Sequence, residues 1–236
     1  KVHSFALREA GGLVIAGRKG FAFYDPESGA YELLHDPRED AEGTLLNDGR
    51  ADRQGRFWAG SMDKMLKRPS GQLFRLDSDG ASHMAADGIT LSNGVAFSPD
   101  GSTLYYADSL LKNIFAYDLD AETGALSNKR VFAETGALPG IPDGATVDSV
   151  GFLWSARFDG GRVLRHGPDG SVAAEIEFPV SRVTSCALGG TDLKTLYVTS
   201  AFFRLTDEQR AAEPLAGALF AVEVDVPGLP EPCYCG

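Results

Sequence analysis

Three short segments place an oxygen-bearing side chain just ahead of a glycine at matching places: Leu46-Asn47-Asp48-Gly49, Ser92-Asn93-Gly94 and Pro142-Asp143-Gly144. Two amide oxygens and one carboxylate are hard donors. They suit Ca2+, Mg2+ or Mn2+, and fit Zn2+ less specifically. A single carboxylate leaves a divalent ion with net positive charge, able to polarise a carbonyl oxygen or a bound water. Taken alone, each segment reads first as turn chemistry, because Asn-Gly and Asp-Gly favour turns for backbone reasons. Position sets them apart. Five residues back from Arg8, Asp52, Ser98, Asp148 and Gly189 stand His3, Asn47, Asn93, Asp143 and Thr184, in steps of 44, 46, 50 and 41 residues. A turn required by architecture would recur in every copy, yet the first and last copies carry His3-Ser4 and Thr184-Ser185. That variation fits a site better than a structural requirement.

A step of this size is the signature of a repeat architecture. Each copy opens with an alternating strand, such as Gly49 to Asp52 or Gly144 to Val147. A Gly-containing turn and a β-rich run follow, as in Phe57-Trp58, Leu104-Tyr105-Tyr106 and Leu153-Trp154. Aromatic and β-branched runs bounded by Gly, Asp and Pro are strand and hairpin signals. Third strands begin at Gly20, Gly71, Lys112, Gly161 and Gly217, and fourth strands are expected at Ala30 to Leu34, Ser82 to Ala86, Lys129 to Ala133 and Val172 to Phe178. Helical periodicity is confined to Thr206 to Ala212. Four strands per ~45 residues make a β-propeller blade. The fold class is therefore all-β, a propeller occupying residues 1–236 as a single domain. Equivalent positions in a propeller face one axis, so the recurring polar residue describes one site built from several blades. A propeller must close to hide its strand edges. Five blades are visible, no stretch clearly closes the ring, and the expectation is a six-bladed β-propeller with sequence missing at its start.

Composition narrows the function. The chain has 236 residues, 43% of them hydrophobic, enough for a sizeable core. A net charge of -11 argues against a phosphate-backbone partner, which needs clustered Lys and Arg. No apolar run approaches the ~20 residues of a membrane span. Nucleic acid and membrane are thus both set aside, and the expected location is cytoplasmic. Cys186, Cys233 and Cys235 do not make a disulfide framework, and Cys186 reads as a small buried residue. His35, His83 and His166 read as surface or blade-edge residues, and Trp58 and Trp154 as packing between blades. No Gly-x-Ser-x-Gly elbow, P-loop or Gly-x-Gly-x-x-Gly is present.

Across LNDGRADRQGRFWAGSMD, ITLSNGVAFSPDGSTLYYADS, IPDGATVDSVGFLWSARFDGGRV, TSCALGGTDLKTLYVTSA and PLAGALFAVEVDVPGLPEP, in this order, the chain resembles the gluconolactonase, senescence-marker-protein and luciferin-regenerating-enzyme family. The resemblance implies a six-bladed propeller with one divalent cation in its tunnel, Ca2+ first and Zn2+, Mn2+ or Mg2+ as alternatives. It implies hydrolysis of lactones, within carbohydrate metabolism, by a monomer or weak homodimer acting on a small-molecule lactone or ester. Asn93 and Asp143 would be metal ligands, Asn47 would lie at metal or substrate, and Asp143 would serve as the base for water. An arylesterase or phosphotriesterase-like hydrolase and a non-catalytic calcium- or ligand-binding propeller are the alternatives.

Four departures accompany the resemblance. The family's remaining ligand is a Glu in a Gly-Glu-Gly-Pro segment, which the resemblance places upstream of Lys1. Pocket positions that carry Arg, an acidic residue and Arg in sugar-lactone members align with Leu45, Met65 and Phe202. These substitutions suggest a mouth suited to an apolar lactone or ester; neutral loop variation explains them equally well.

Overall fold

The computed structural model describes residues 1–39 and 42–236. Among these residues, nineteen strands form five antiparallel sheets. The first is β1 (Val2–Leu7), β2 (Leu13–Gly17), β3 (Gly20–Tyr24) and β4 (Tyr31–His35), paired in that order. The second is β5 (Thr44–Ala51), β6 (Phe57–Asp63), β7 (Gly71–Leu76) and β8 (Ser82–Ile89). The third is β9 (Ser92–Phe97), β10 (Thr103–Asp108), β11 (Asn113–Leu119) and β12 (Leu126–Glu134). The fourth is β13 (Ile141–Val147), β14 (Leu153–Phe158), β15 (Arg162–His166) and β16 (Val172–Glu177). The fifth has three strands, β17 (Val183–Gly189), β18 (Thr195–Ser200) and β19 (Leu219–Glu223). These are the five blades that the repeats predict. The one helix among the described residues, α1 (Asp207–Ala212), starts at Thr206, where a capping box with Gln209 satisfies the first turn.

Inner strands β1, β5, β9, β13 and β17 stand side by side in sequence order. A hydrophobic core lies between each neighbouring pair of blades, because a blade's two faces each need apolar cover. Phe21 and Val14 meet Phe57 and Leu76; Trp58 and Leu73 meet Phe97 and Tyr106; Ala107 and Ile114 meet Val147 and Leu153; Val163 and Trp154 meet Leu188 and Val198. The segment from Pro227 to Gly236 crosses the end of the ring where the first-to-second-strand turns lie. It is tied to Ser149, Leu193, Arg53 and Gly55 along the way. The Tyr234 backbone exchanges hydrogen bonds with Leu7 and Glu9, and its ring fills the core between the first two blades.

Two of these blades carry the same internal clamp. Asp52 accepts hydrogen bonds from the backbone of Gln54 and Arg56, the Arg56 guanidinium and the Trp58 indole. Asp148 accepts from the backbone of Val150 and Phe152, the Trp154 indole and Arg165. The tryptophans are therefore hydrogen-bonded anchors as well as packing residues. His166 also departs from expectation. It is 1% exposed rather than at the surface, because β15 is an interior strand and Phe132 lies against its ring.

Removing a buried ion-pair partner leaves an uncompensated charge. Asp148→Ala should therefore cost about 3–5 kcal/mol, read as a lowered urea midpoint at unchanged slope. The same change at Asp118, whose pair with Arg130 is 47% exposed on both sides, should leave the urea midpoint nearly unchanged.

Candidate active site

Pairing between the first two strands slips once in every blade. The slips lie between Val2 and Ser4, between Leu46 and Gly49, between Asn93 and Ala96, between Pro142 and Ala145, and between Val183 and Ser185. A β-bulge turns a side chain out of the ladder. His3, Asn47, Asp143 and Thr184 sit inside these slips and Asn93 at the edge of one. The Gly-bearing segments are thus bulges within strands, not reversals of the chain. Gly94 has φ +59, and a Cβ there would stand 2.8 Å from the Asp143 carbonyl oxygen. A Cβ at Gly144 would stand 2.2 Å from the Ser185 hydroxyl. The glycines let adjacent blades close on the axis.

All five recurring residues line one cavity of about 590 Å3, which continues to Arg50 and Glu231. At its mouth the amides form a directed chain. The Asn47 Nδ2 donates to the Ser92 carbonyl at 2.9 Å and to Asn93 Oδ1 at 2.7 Å. The Asn93 Nδ2 donates to Ser109 Oγ at 2.8 Å, and Ser109 donates to the Pro142 carbonyl at 2.6 Å. His3 Nδ1 meets the Leu46 carbonyl, and burial lowers the pKa of its ring. Thr184 pairs with Thr199 through their hydroxyls at 2.8 Å.

Asp48 joins this group although the recurrence did not single it out. Its carboxylate takes the Gly49 amide at 2.9 Å and the Val95 amide at 3.1 Å, so it bridges the second and third blades. Withdrawal from water raises the pKa of Asp48 above its ordinary value, and Arg50 opposes the rise. Asp143 is pushed well above the usual carboxylate range, first by burial and then by the charge of Asp48. The two carboxylates face one cavity and resist ionising together. The sequence signal for Asp48 was its place beside Asn47 in a two-residue bulge.

Arg157 was also missed. It is fully buried and reaches the carbonyls of Pro139 and Gly140 and the hydroxyl of Thr135, bracing the approach to β13 and Asp143. Burial lowers its pKa to about 10.

Leu45 is half-buried on β5, while Met65 and Phe202 are 67% and 55% exposed on the connections after β6 and β18. None of the three lines the cavity that holds Asn47, Asn93 and Asp143. Among the described residues, no cluster of three or more His, Cys, Asp or Glu is placed to hold a metal. The side-chain amides of Asn47 and Asn93, oxygen donors on the same cavity, are not of these residue types. No helix among the described residues is long and apolar enough to cross a membrane.

Comparison with known proteins gives this geometry a context. Residues 1–202 match the SMP-30/Gluconolactonase/LRE-like region. The chain is 43% identical over 234 residues to the 6-deoxy-6-sulfogluconolactonase of Pseudomonas putida, covering 98% of this chain and 80% of the relative. It is 40% identical to regucalcin of Danio rerio, covering 97% of this chain and 79% of the relative. Among solved structures, a calcium-binding protein, regucalcin, from Agrobacterium tumefaciens superposes with a TM-score of 0.92 at 31% identity, covering 98% of this chain and 78% of the other. In sequence and in fold, the chain belongs to the SMP-30/gluconolactonase/LRE-like family.

Proposed function

We propose that the chain is a divalent-cation-dependent lactone hydrolase whose active site is the cavity mouth. One observation carries the reading: Asn47, Asn93 and Asp143 converge from three successive blades on one cavity, beside a second carboxylate. Asn93 Oδ1, the Asp143 carboxylate and the Asn47 amide oxygen are hard donors that would hold the cation. Ca2+ is the first assignment, supported by a structural relative described as calcium-binding; Zn2+, Mn2+ and Mg2+ are the alternatives. When bound, the cation supplies a Lewis acid for the lactone carbonyl oxygen.

The chain's own residues do the rest. Asp143 accepts a proton from water as the water oxygen bonds to the acyl carbon. The bond from acyl carbon to ring oxygen then breaks, the ring oxygen takes up the proton, and a hydroxy acid leaves. Asn47 and Asn93 hold the mouth in register through their shared hydrogen bond. Asp48 keeps two backbone amides, and with them the wall between the second and third blades, in place. Leu45, Met65 and Phe202 are assigned to the rim, where they would meet the part of the substrate outside the cavity and favour an apolar lactone. Relatives named for sugar lactones support the reaction class. A regucalcin-like chain that binds the cation without turnover is the second reading, favoured by the same calcium-binding relative.

A panel from sugar lactones to alkyl lactones tests the reading. Acid release should stop with chelator and return with one of the four cations. Asp143→Asn should lower kcat by about 10^2- to 10^4-fold. No turnover with any cation, in protein shown to be folded, would reject it in favour of the binding reading. The preferred lactone tests the rim assignment.

The crowded carboxylates predict a stability signature as well. In the metal-free protein, folded Asp48 and Asp143 bind protons more tightly than they do unfolded. Metal-free stability should therefore fall as pH rises from the ordinary carboxylate value through the raised ones. Near neutrality Asp143→Asn should stabilise the metal-free protein by about 0.5–2 kcal/mol and abolish the rise in Tm on adding cation. Thermal scans with and without cation across pH measure both effects.

A further inference from the structure

Asparagine is an ambiguous ligand, because its amide can present either oxygen or NH2 to the same point in space. A cation accepts only the oxygen. Something must therefore fix the rotation of the Asn93 amide, and the hydrogen bonds at the mouth show what does so. A backbone carbonyl can only accept. The Pro142 carbonyl, 2.6 Å from Ser109 Oγ, therefore commits the single Ser109 proton. The remaining Ser109 lone pairs can only accept, so the Asn93 atom 2.8 Å away must be its NH2. At the other end, the Ser92 carbonyl demands the NH2 of Asn47, whose second proton reaches Asn93 Oδ1 at 2.7 Å. Two carbonyls from different blades thus set the polarity of the whole chain and agree on one orientation of Asn93.

Ser109 is well placed for this work. It is fully buried, in the turn after β10. Its backbone amide is held by the Leu91 carbonyl. The neighbouring Asp108 carboxylate takes the Thr90 amide at 2.7 Å. These ties fix the backbone that carries the hydroxyl, and the bond to the Pro142 carbonyl fixes its rotamer.

We infer that Ser109 is a positioning residue that locks the Asn93 amide with Oδ1 turned to the tunnel, so that the mouth is ready for a cation before one arrives. The inference rests on the functional reading above, in which Asn93 is a ligand. Ser109 itself touches neither cation nor substrate. Its hydrogen bond replaces a search among amide rotamers with a single orientation.

A double-substitution cycle tests the inference by direct cation binding. Mn2+ dissociation constants would be measured by electron paramagnetic resonance in the full chain, with folding checked by thermal transition. The set is the parent, Ser109→Ala, Asn93→Asp and the pair together. Outer-shell partners of metal ligands are worth about 10- to 100-fold in affinity, and Ser109→Ala should weaken Mn2+ binding by that factor. A carboxylate presents oxygen whichever way it turns, so in the Asn93→Asp background the same change should cost less than about threefold. An equal loss in both backgrounds would assign Ser109 to general support of the fold and overturn the inference. Parent binding that is lost in Asp143→Ala but untouched by Ser109→Ala would overturn the inference alone. Parent binding that Asp143→Ala leaves unchanged would overturn the functional reading, and this inference with it.

Discussion

A strand that pairs without interruption sends its side chains alternately to the two faces of its sheet. In a propeller both faces of an inner strand are pressed against neighbouring blades, as the four cores between blades show. A polar side chain reaches the axis only where pairing lapses. The single slip in every inner strand is that lapse, and residues at all five slips line the one cavity. Architecture alone requires none of them to carry a donor. Asn47, Asn93 and Asp143 use positions that the fold holds open in every blade, while His3 and Thr184 use the same positions for other chemistry.

Turning several polar groups toward one axis also concentrates charge. Burial makes both Asp48 and Asp143 harder to ionise, and the charge of Asp48 adds to the effect on Asp143. Arg50, which faces the same cavity, is only partly available to relieve them. Its guanidinium also reaches Thr146 at 3.0 Å and Glu231 at 3.3 Å. The amides avoid the problem by bonding to one another in a directed chain. The mouth therefore sets two carboxylates that resist ionising beside a hydrogen-bond frame that carries no charge.

Much of this was legible in the sequence, for definite reasons. The five visible blades, the first three strands of each and the short helix follow from periodicity, glycine turns and the DEQRAA segment. The recurring polar residue follows from counting between copies. Asp48 escaped because counting finds one residue per copy, whereas a two-residue bulge exposes two. Ser109 and Arg157 escaped because each is fixed by backbone carbonyls from other parts of the chain, beside the Asn93 amide and the Thr135 hydroxyl, and nothing in spacing marks a carbonyl. His166 was misplaced because an interior strand that ends in a polar turn looks the same in sequence as an edge. The tryptophans were read as packing because the aspartate six residues earlier had no visible link to an indole nitrogen.

The crossing segment has a consequence for how the molecule assembles. The second, third and fourth interfaces join segments adjacent in the chain, and each can form as soon as its two blades are present. The first interface cannot. Its core needs the Tyr234 ring, and Arg8 reaches the Gly236 carbonyl across 228 positions. Contacts so distant in sequence form late, because the chain between them must be ordered before they repay the closure. Until then the slot between the first two blades stays open, with the Leu7 carbonyl and the Glu9 amide unpaired. The interface between these two blades thus waits on a segment 228 positions away, and a species without it presents the apolar surface and free backbone groups on which aggregation begins.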